Sequence, residues 1–357
     1  MNKDSIKKYL PIILLGIVCV VLLTVYILVY NNDREDKKDI GKPIQKSSFL
    51  LNTIVTITVY DSQDEGIIDG AMKLIKDYEE IYSRTIETSE LYKLNHGNLE
   101  KADGGLYSYK ITNTLADILD KGLYYSNLSG GKFDITVAPI TTQWDFTSED
   151  AVIPEKNDLE AALPLVNYKN MLLEDNTVTF RKKGMEVDLG AIAKGYIADK
   201  VKEYLLEKGV ESAMINLGGN ILVVGKKPSG EAFKVGIQKP FAGRNEIVAA
   251  MEITDKSVVS SGIYERYIMK DDKFYHHIID PSTGYPYKND LVAVTIISNK
   301  SVDGDGLSTS CFALGLEKGM DLIESLEDTY AIFITDDYEL HYTEGFFDNI
   351  KVTEVKE

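Results

Sequence analysis

One long apolar run opens this chain, and shorter periodic patterns follow it. Residues Tyr9 to Tyr30 are almost wholly apolar and carry no charge over 22 positions, enough to cross a bilayer as a helix. Pro11 falls in the first turn, where a helix tolerates it. Lys3, Lys7 and Lys8 precede the run, so the positive-inside rule places residues 1–8 in the cytoplasm and the remainder outside. A cleaved signal peptide has a shorter apolar core. A lipobox at Cys19 would want a small residue where Val18 stands. The expectation is a retained transmembrane anchor over 9–30 in the cell membrane, single-pass, with the large domain on the extracytoplasmic side. Residues 31–46 are polar and charge-rich and read as a stalk.

From Ser47 to the end the pattern is globular, a domain over 47–357. Thr53 to Tyr60 alternates β-branched residues and predicts a strand. Ala71, Leu74, Ile75, Tyr78 and Ile81 fall at helical spacing, as do Ile111, Leu115, Ile118, Leu119 and Leu123. A third helix is predicted over Ala193 to Lys208, with Gly209 as its stop. Met214 to Gly225 reads as two short strands about a glycine turn at Gly218-Gly219. Further strands are predicted over 234–237, 247–253, 264–269, 291–298 and 330–335, with a helix over Leu307 to Leu326 before the last. Strands come in runs rather than in regular βαβ alternation, which predicts an α+β fold over a doubly wound parallel sheet.

The formal charge of −17 excludes nucleic acid and an anionic membrane surface as natural partners, since both reward a basic face. An acidic protein that takes a polyphosphate needs local compensation, and a divalent cation supplies it. The two cysteines, Cys19 and Cys311, stand in the apolar run and in a predicted helix. They form no disulfide framework, and Cys311 reads as a small buried apolar residue.

Asp305 and Thr309 are four apart in Asp305-Gly306-Leu307-Ser308-Thr309, so a helix presents both on one face. Two hard oxygens there suit Mg²⁺, which takes few protein ligands and completes its shell with water and phosphates. Asp305 alone reads as readily as a helix N-cap. Val187 to Gly195 is a small-residue turn opening a helix, with Lys194 in its first turn. A lysine there opposes the helix dipole and suits an anionic ligand; an ordinary exposed lysine is the alternative. There is no Walker A sequence and no G-x-G-x-x-G. Tyr275 to Pro286 holds two of the four histidines before an Asp-Pro-Ser-Thr-Gly turn. A zinc site there lacks a third ligand. His277 fits either a general base or a structural histidine bonding the turn.

Six segments in order resemble one family, the ApbE-type FAD:protein FMN transferases. They are Gly131 to Pro139, Val187 to Gly195, Asn216 to Asn220, Ser261 to Arg266, His277 to Gly284 and Asp305 to Thr309. The resemblance implies a single ApbE-like catalytic domain of mixed sheets and helices behind the N-terminal transmembrane helix. It implies Mg²⁺-dependent transfer of FMN from FAD to a Thr or Ser hydroxyl of an acceptor protein, with AMP leaving. It assigns Mg²⁺ to Asp305, Thr309 and the Ala191 carbonyl. Lys194, Ile279 and Asp134 would contact FAD. A base beside the acceptor hydroxyl would be His277 first and Asp188 second. FAD pyrophosphatase and a non-catalytic extracytoplasmic FAD-binding protein are the alternatives. Gly306 and Ser308 stand where the family often has alanine, which loosens the helix by about 1 kcal/mol and leaves both ligands. The family's acceptors carry a Ser/Thr-Gly-Ala-Ser/Thr type of segment that this chain lacks. The acceptor is therefore expected in trans, as a subunit of an ion-pumping redox complex or another exported flavoprotein.

Overall fold

The computed structural model describes residues 42–355 apart from 104, 147, 149, 150, 244 and 245. The expected cytoplasmic N-terminus, the anchor over 9–30 and most of the stalk lie outside the described residues. Among the described residues no helix is long and apolar enough to cross a membrane. Ile44–Glu357 forms one compact unit.

In chain order the elements are β1 (Ile44–Leu50), β2 (Thr53–Val59), α1 (Glu65–Tyr82), α2 (Glu90–Asn95), β3 (Ser108–Lys110), α3 (Asn113–Leu128), α4 (Ala138–Thr141), α5 (Lys156–Ala162), β4 (Met171–Glu174) and β5 (Thr177–Phe180). There follow α6 (Ala193–Glu207), β6 (Ser212–Leu217), β7 (Asn220–Gly225), β8 (Phe233–Gln238), β9 (Ile247–Ile253), β10 (Ser257–Gly262), β11 (Tyr267–Lys270), β12 (Lys273–His276) and β13 (Leu291–Ser298). The chain continues through α7 (Ser301–Leu314), α8 (Leu316–Glu324), β14 (Tyr330–Thr335), β15 (Leu340–Tyr342), α9 (Phe346–Asn349) and β16 (Lys351–Val355).

The main sheet has eight strands in the order β1-β2-β6-β7-β10-β13-β14-β15, each pairing antiparallel. This is the α+β arrangement expected from the runs of strands. Both faces of its centre are covered. Val294 and Ile296 of β13 and Ala331 and Phe333 of β14 join the main core with α6 and α7. Ala293, Ile297, Ile332 and Ile334 point the other way, into a second core with Phe233, Val235 and Met251 of the sheet β16-β9-β8. A strand buried on both faces reads as a continuous apolar run, and all eight residues of β13 are buried. A smaller core gathers Ile140, Trp144, Leu159, Ile268 and Ile279.

Three expectations shift. The stalk ends earlier than read, because Ile44, Gln45 and Lys46 pair with Val59, Thr58 and Ile57 in β1. Charge masked a strand whose partner lies in the next segment. The helix expected over Leu307 to Leu326 is two helices, α7 and α8, broken at Gly315. α7 starts at Ser301, so Asp305 lies inside it and is not its N-cap. The strand expected over 264–269 starts at Tyr267, and the buried strand β10 before it carries Ser261.

Candidate active site

The site is built where two helix N-termini meet. Neither α6 nor α7 receives a side-chain cap from its own N-cap residue, which leaves first-turn N–H groups to be satisfied from elsewhere. Gly195 N–H, in the first turn of α6, donates to Asp305 Oδ2 at 2.5 Å. Ser301 N–H and Val302 N–H, at the start of α7, donate to Asp199 Oδ1 and Oδ2 at 2.7 and 2.9 Å. Each helix thus lends a carboxylate to the other's positive end, the favourable direction for the dipole. The backbones touch between the two caps. A Cβ built on Gly195 would lie 2.2 Å from the Ser301 carbonyl oxygen, so only glycine fits.

Asp305 is 5% exposed. Asn220 Nδ2 donates to its Oδ1 at 3.0 Å, and Asn220 Oδ1 accepts from Ser301 Oγ at 2.7 Å. The turn before Asn220 uses Gly218 at φ 66°, packed onto Thr53, a backbone angle that favours glycine. Burial raises the Asp305 pKa, while Lys194, the Gly195 N–H and Asn220 pull against it. One turn on, Thr309 Oγ1 stands 3.2 Å from Ser261 Oγ, which is 2.8 Å from Ser308 Oγ. The Gly195 N–H that would bond the Ala191 carbonyl in a continued helix is taken by Asp305. That carbonyl is therefore left without its helical donor.

A carboxylate, a hydroxyl and a backbone carbonyl are hard oxygen donors with a single formal charge. That set fits Mg²⁺, which keeps several positions for water and phosphate oxygens. Among the described residues no three His, Cys, Asp or Glu side chains gather as a metal cluster, and a soft-metal site finds no donors here. Lys194 is half-buried and its charge acts on both Asp305 and Glu265. Burial raises the Glu265 carboxyl pKa, and Lys194 and Arg266 oppose it.

The two adjacent histidines separate: His276 ends β12 and His277 lies just beyond it. His276 is buried; its Nδ1 accepts from Ile278 N–H and its Nε2 donates to the Tyr287 carbonyl at 3.0 Å. His276 is the structural one. His277 remains half-buried, with Nδ1 3.2 Å from the Arg266 carbonyl. A carbonyl can only accept, so the proton sits on Nδ1 and Nε2 keeps its lone pair. Desolvation, with the Arg266 charge next, pushes its pKa down to about 3.

The other residues read from sequence are placed as follows. Asp188 is committed locally: Oδ2 accepts from Thr141 Oγ1 at 2.7 Å and pairs with Arg84 Nε at 3.2 Å, and Oδ1 accepts from Gly190 N–H at 2.8 Å. It shapes the turn and offers no free oxygen to a reacting proton. Asp134 takes Thr136 N–H and Oγ1 on Oδ1 and Tyr168 N–H on Oδ2, and burial raises its pKa. Its carboxylate organises a turn. Ile279 packs its side chain into the small core beside Trp144. Its bridge to Pro286 is held by the flanking Asp280–Tyr285 and Tyr287–Ile278 bonds, so its own amide and carbonyl face away from that pair. Cys311 is buried and its thiol pKa is raised by desolvation, as a core residue.

Sequence reasoning gave no role to Asn220, Ser261, Asp199, Arg84 or Glu265. Asn220, Ser261 and Glu265 lay in quoted motifs, but contacts through space gave no periodic signal. Two open pockets lie elsewhere. One of about 450 Å³ is lined by Arg84, Asn95 and Glu186. One of about 750 Å³ is lined by Tyr125, Asp199 and Asp303. Asp305, Thr309 and Lys194 line neither.

The ApbE family profile matches residues 51–334. The FAD:protein FMN transferase of Klebsiella pneumoniae strain 342 is 35% identical over 81% of this chain and 88% of that protein. The FAD:protein FMN transferase of Treponema pallidum is 30% identical over 87% and 90%. Among solved structures, the ApbE protein of Thermotoga maritima superimposes with a TM-score of 0.76 at 27% identity, over 85% of this chain and 98% of that one. The flavin transferase ApbE of Vibrio cholerae gives 0.75 at 25% identity, over 86% and 98%. With the family match spanning most of the compact unit, this chain belongs to the ApbE family.

Proposed function

We propose that this chain is an FAD:protein FMN transferase that uses Mg²⁺ to move FMN from FAD to a Thr or Ser hydroxyl of an acceptor protein, releasing AMP. The observation that carries the reading is the buried Asp305 carboxylate, held at the start of α6 with the Lys194 charge acting on it, in a chain whose curated relatives bear that activity's name.

Mg²⁺ bound there would supply charge neutralisation on the diphosphate as the leaving group departs. Asp305 and Thr309 would hold it with the Ala191 carbonyl. Lys194 provides a cation for phosphate oxygens. His277 Nε2, with its lone pair free, takes the proton of the acceptor hydroxyl. The hydroxyl oxygen forms a bond to the flavin-side phosphorus, and the bond from that phosphorus to the bridging oxygen breaks. The electron pair leaves on AMP, and the proton passes from His277 to solvent. Asp134 and Asp188 support this site by fixing the turns around it. The apolar run over 9–30 supports a membrane anchor with the catalytic unit outside the cytoplasm, where the acceptor is an exported flavoprotein or a subunit of a redox complex.

The test incubates the protein with FAD, Mg²⁺ and the flavoprotein acceptor of a relative. Covalent fluorescent flavin on the acceptor supports transfer. FMN and AMP without acceptor labelling would make the enzyme a pyrophosphatase, and intact FAD would make it a binding protein. Asp305→Ala is expected to lose at least about 10²-fold in rate, the scale of removing charge stabilisation at a transition state. Full activity of that variant with the metal chelated would sink the Mg²⁺ mechanism.

A further inference from the structure

We propose that Asp199 is a positioning residue for the metal site: it holds α7 in the register that sets Asp305 and Thr309 against the Ala191 turn. The inference rests on the Mg²⁺ reading above.

Asp199 touches none of the three oxygen donors. It acts through the first turn of α7, where it accepts Ser301 N–H and Val302 N–H at 2.7 and 2.9 Å. The same Ser301 donates its Oγ to Asn220 Oδ1 at 2.7 Å and accepts from Ser257 Oγ at 2.8 Å. Asn220 in turn donates to Asp305 Oδ1 at 3.0 Å. Ser301 is therefore fixed at its backbone by Asp199 and at its side chain by the group that orients Asp305. Four residues along α7, Asp305 bonds back to Gly195, four residues before Asp199 on α6. The two carboxylates close a ring of contacts through both helices. One carboxylate faces the oxygen donors and the other faces away, toward the cavity lined by Tyr125, Lys202 and Asp303.

A plain helix cap would steady α7 and leave the geometry at Asp305 unchanged. A register lock does more. Without Asp199 the two N–H groups lose their acceptor, and the first turn of α7 moves until other partners satisfy them. Movement of Ser301 carries Asn220, and Asn220 carries Asp305. Groups that orient a metal ligand typically change metal affinity about 10–100-fold when removed.

The experiment measures Mn²⁺ binding to the full chain by electron paramagnetic resonance, with thermal unfolding alongside. Five proteins are compared: wild type, D199A, D199N, D64A and D305A. Asp64 caps α1 through Gly66 N–H at 2.9 Å and serves as a matched loss of a cap far from the site. D199A is expected to weaken Mn²⁺ at least about 10-fold. D199N keeps one acceptor oxygen and should lose at least threefold. D64A should lower the unfolding temperature and leave the Mn²⁺ affinity unchanged. If D199A does not fold, D199N decides. A loss below threefold in the folded variants overturns the proposal, as does an equal loss in D64A. Asp305→Ala separates the two ideas. If that variant binds Mn²⁺ like wild type, the metal reading itself fails. If it abolishes binding while the Asp199 variants do not weaken it, only the positioning role fails.

Discussion

Asp305 has two tasks, and they depend on each other. Its Oδ2 closes the first turn of α6, and its buried carboxylate is held by Asn220. A buried carboxylate with few partners is costly, so the proposed cation, once bound, would also relieve it. At the same scale His277 and His276 divide their work. Sequence placed both before the Asp-Pro-Ser-Thr-Gly turn and could not tell which of them was buried. That depended on Tyr287 and Arg266 arriving from other segments. The spacing of Asp305 and Thr309 was legible because a helix fixes it. The cap reading was half right in physical terms: Asp305 does cap a helix, but α6 rather than its own. One consequence is a pH prediction. Because burial lowers the His277 pKa to about 3, the imidazole stays neutral as pH falls below the ordinary histidine range. The pH profile of kcat/KM, which reports the free enzyme, should show no acid limb near 6.5. His277→Ala should lower the transfer rate by about 10²–10⁴-fold while FAD still binds. A limb at 6.5 that vanishes in the alanine variant would show the imidazole to be solvated, contrary to its surroundings.

The pair α6 and α7 is the unit that makes the site. Sequence gave α6 nearly to the residue, because its apolar face and Gly209 are local signals. It misjudged α7, whose buried residues surround the helix, including Gly304, Asp305, Leu307, Ser308 and Phe312. A helix packed between β10, β13 and α6 has no polar face to give it a period. Its start was therefore set too late, at Leu307 rather than Ser301. Small residues let the neighbours of α7 approach: Gly304 meets Val259 of β10, Gly306 meets Tyr125 of α3, and Gly195 of α6 meets the Ser301 backbone. Gly195→Ala would drive a methyl into the Ser301 carbonyl at 2.2 Å. Backbone cannot yield as a side chain can, so α6 and α7 must part, at about 1–3 kcal/mol. Urea unfolding should show that loss. The variant should also transfer flavin more slowly than its remaining folded fraction explains, since parting the helices pulls Asp305 away from the Gly195 N–H that holds it.

On the scale of the whole molecule, the antiparallel sheet was legible as a class and not as an order. Runs of strands excluded regular βαβ winding. The neighbours of β10, set between β7 and β13, follow from long-range pairing that no local pattern carries. The lower boundary of the compact unit was misplaced for the same reason. Residues 44–46 look like stalk by charge, but they complete the edge strand β1. Ile44 packs on the main core, Gln45 Oε1 accepts from Thr58 Oγ1 at 3.2 Å, and Lys46 pairs with Asp69. Two shortened chains test the placement. One begins at residue 44, the other at residue 47, where the charge pattern alone puts the start. Both keep α6, α7 and their exchanged carboxylates, so both should transfer flavin. The second loses three strand pairs and an apolar contact, a cost of about 1–2 kcal/mol, which lowers the unfolding temperature by about 1.5–3 °C for a unit of this size. Equal unfolding temperatures would mean that β1 before Ser47 contributes nothing, and that the stalk extends as far as its charges suggest. A collapse of the second chain would mean the opposite: the edge strand is needed to close the sheet on which β6, β7 and the Asn220 turn are built.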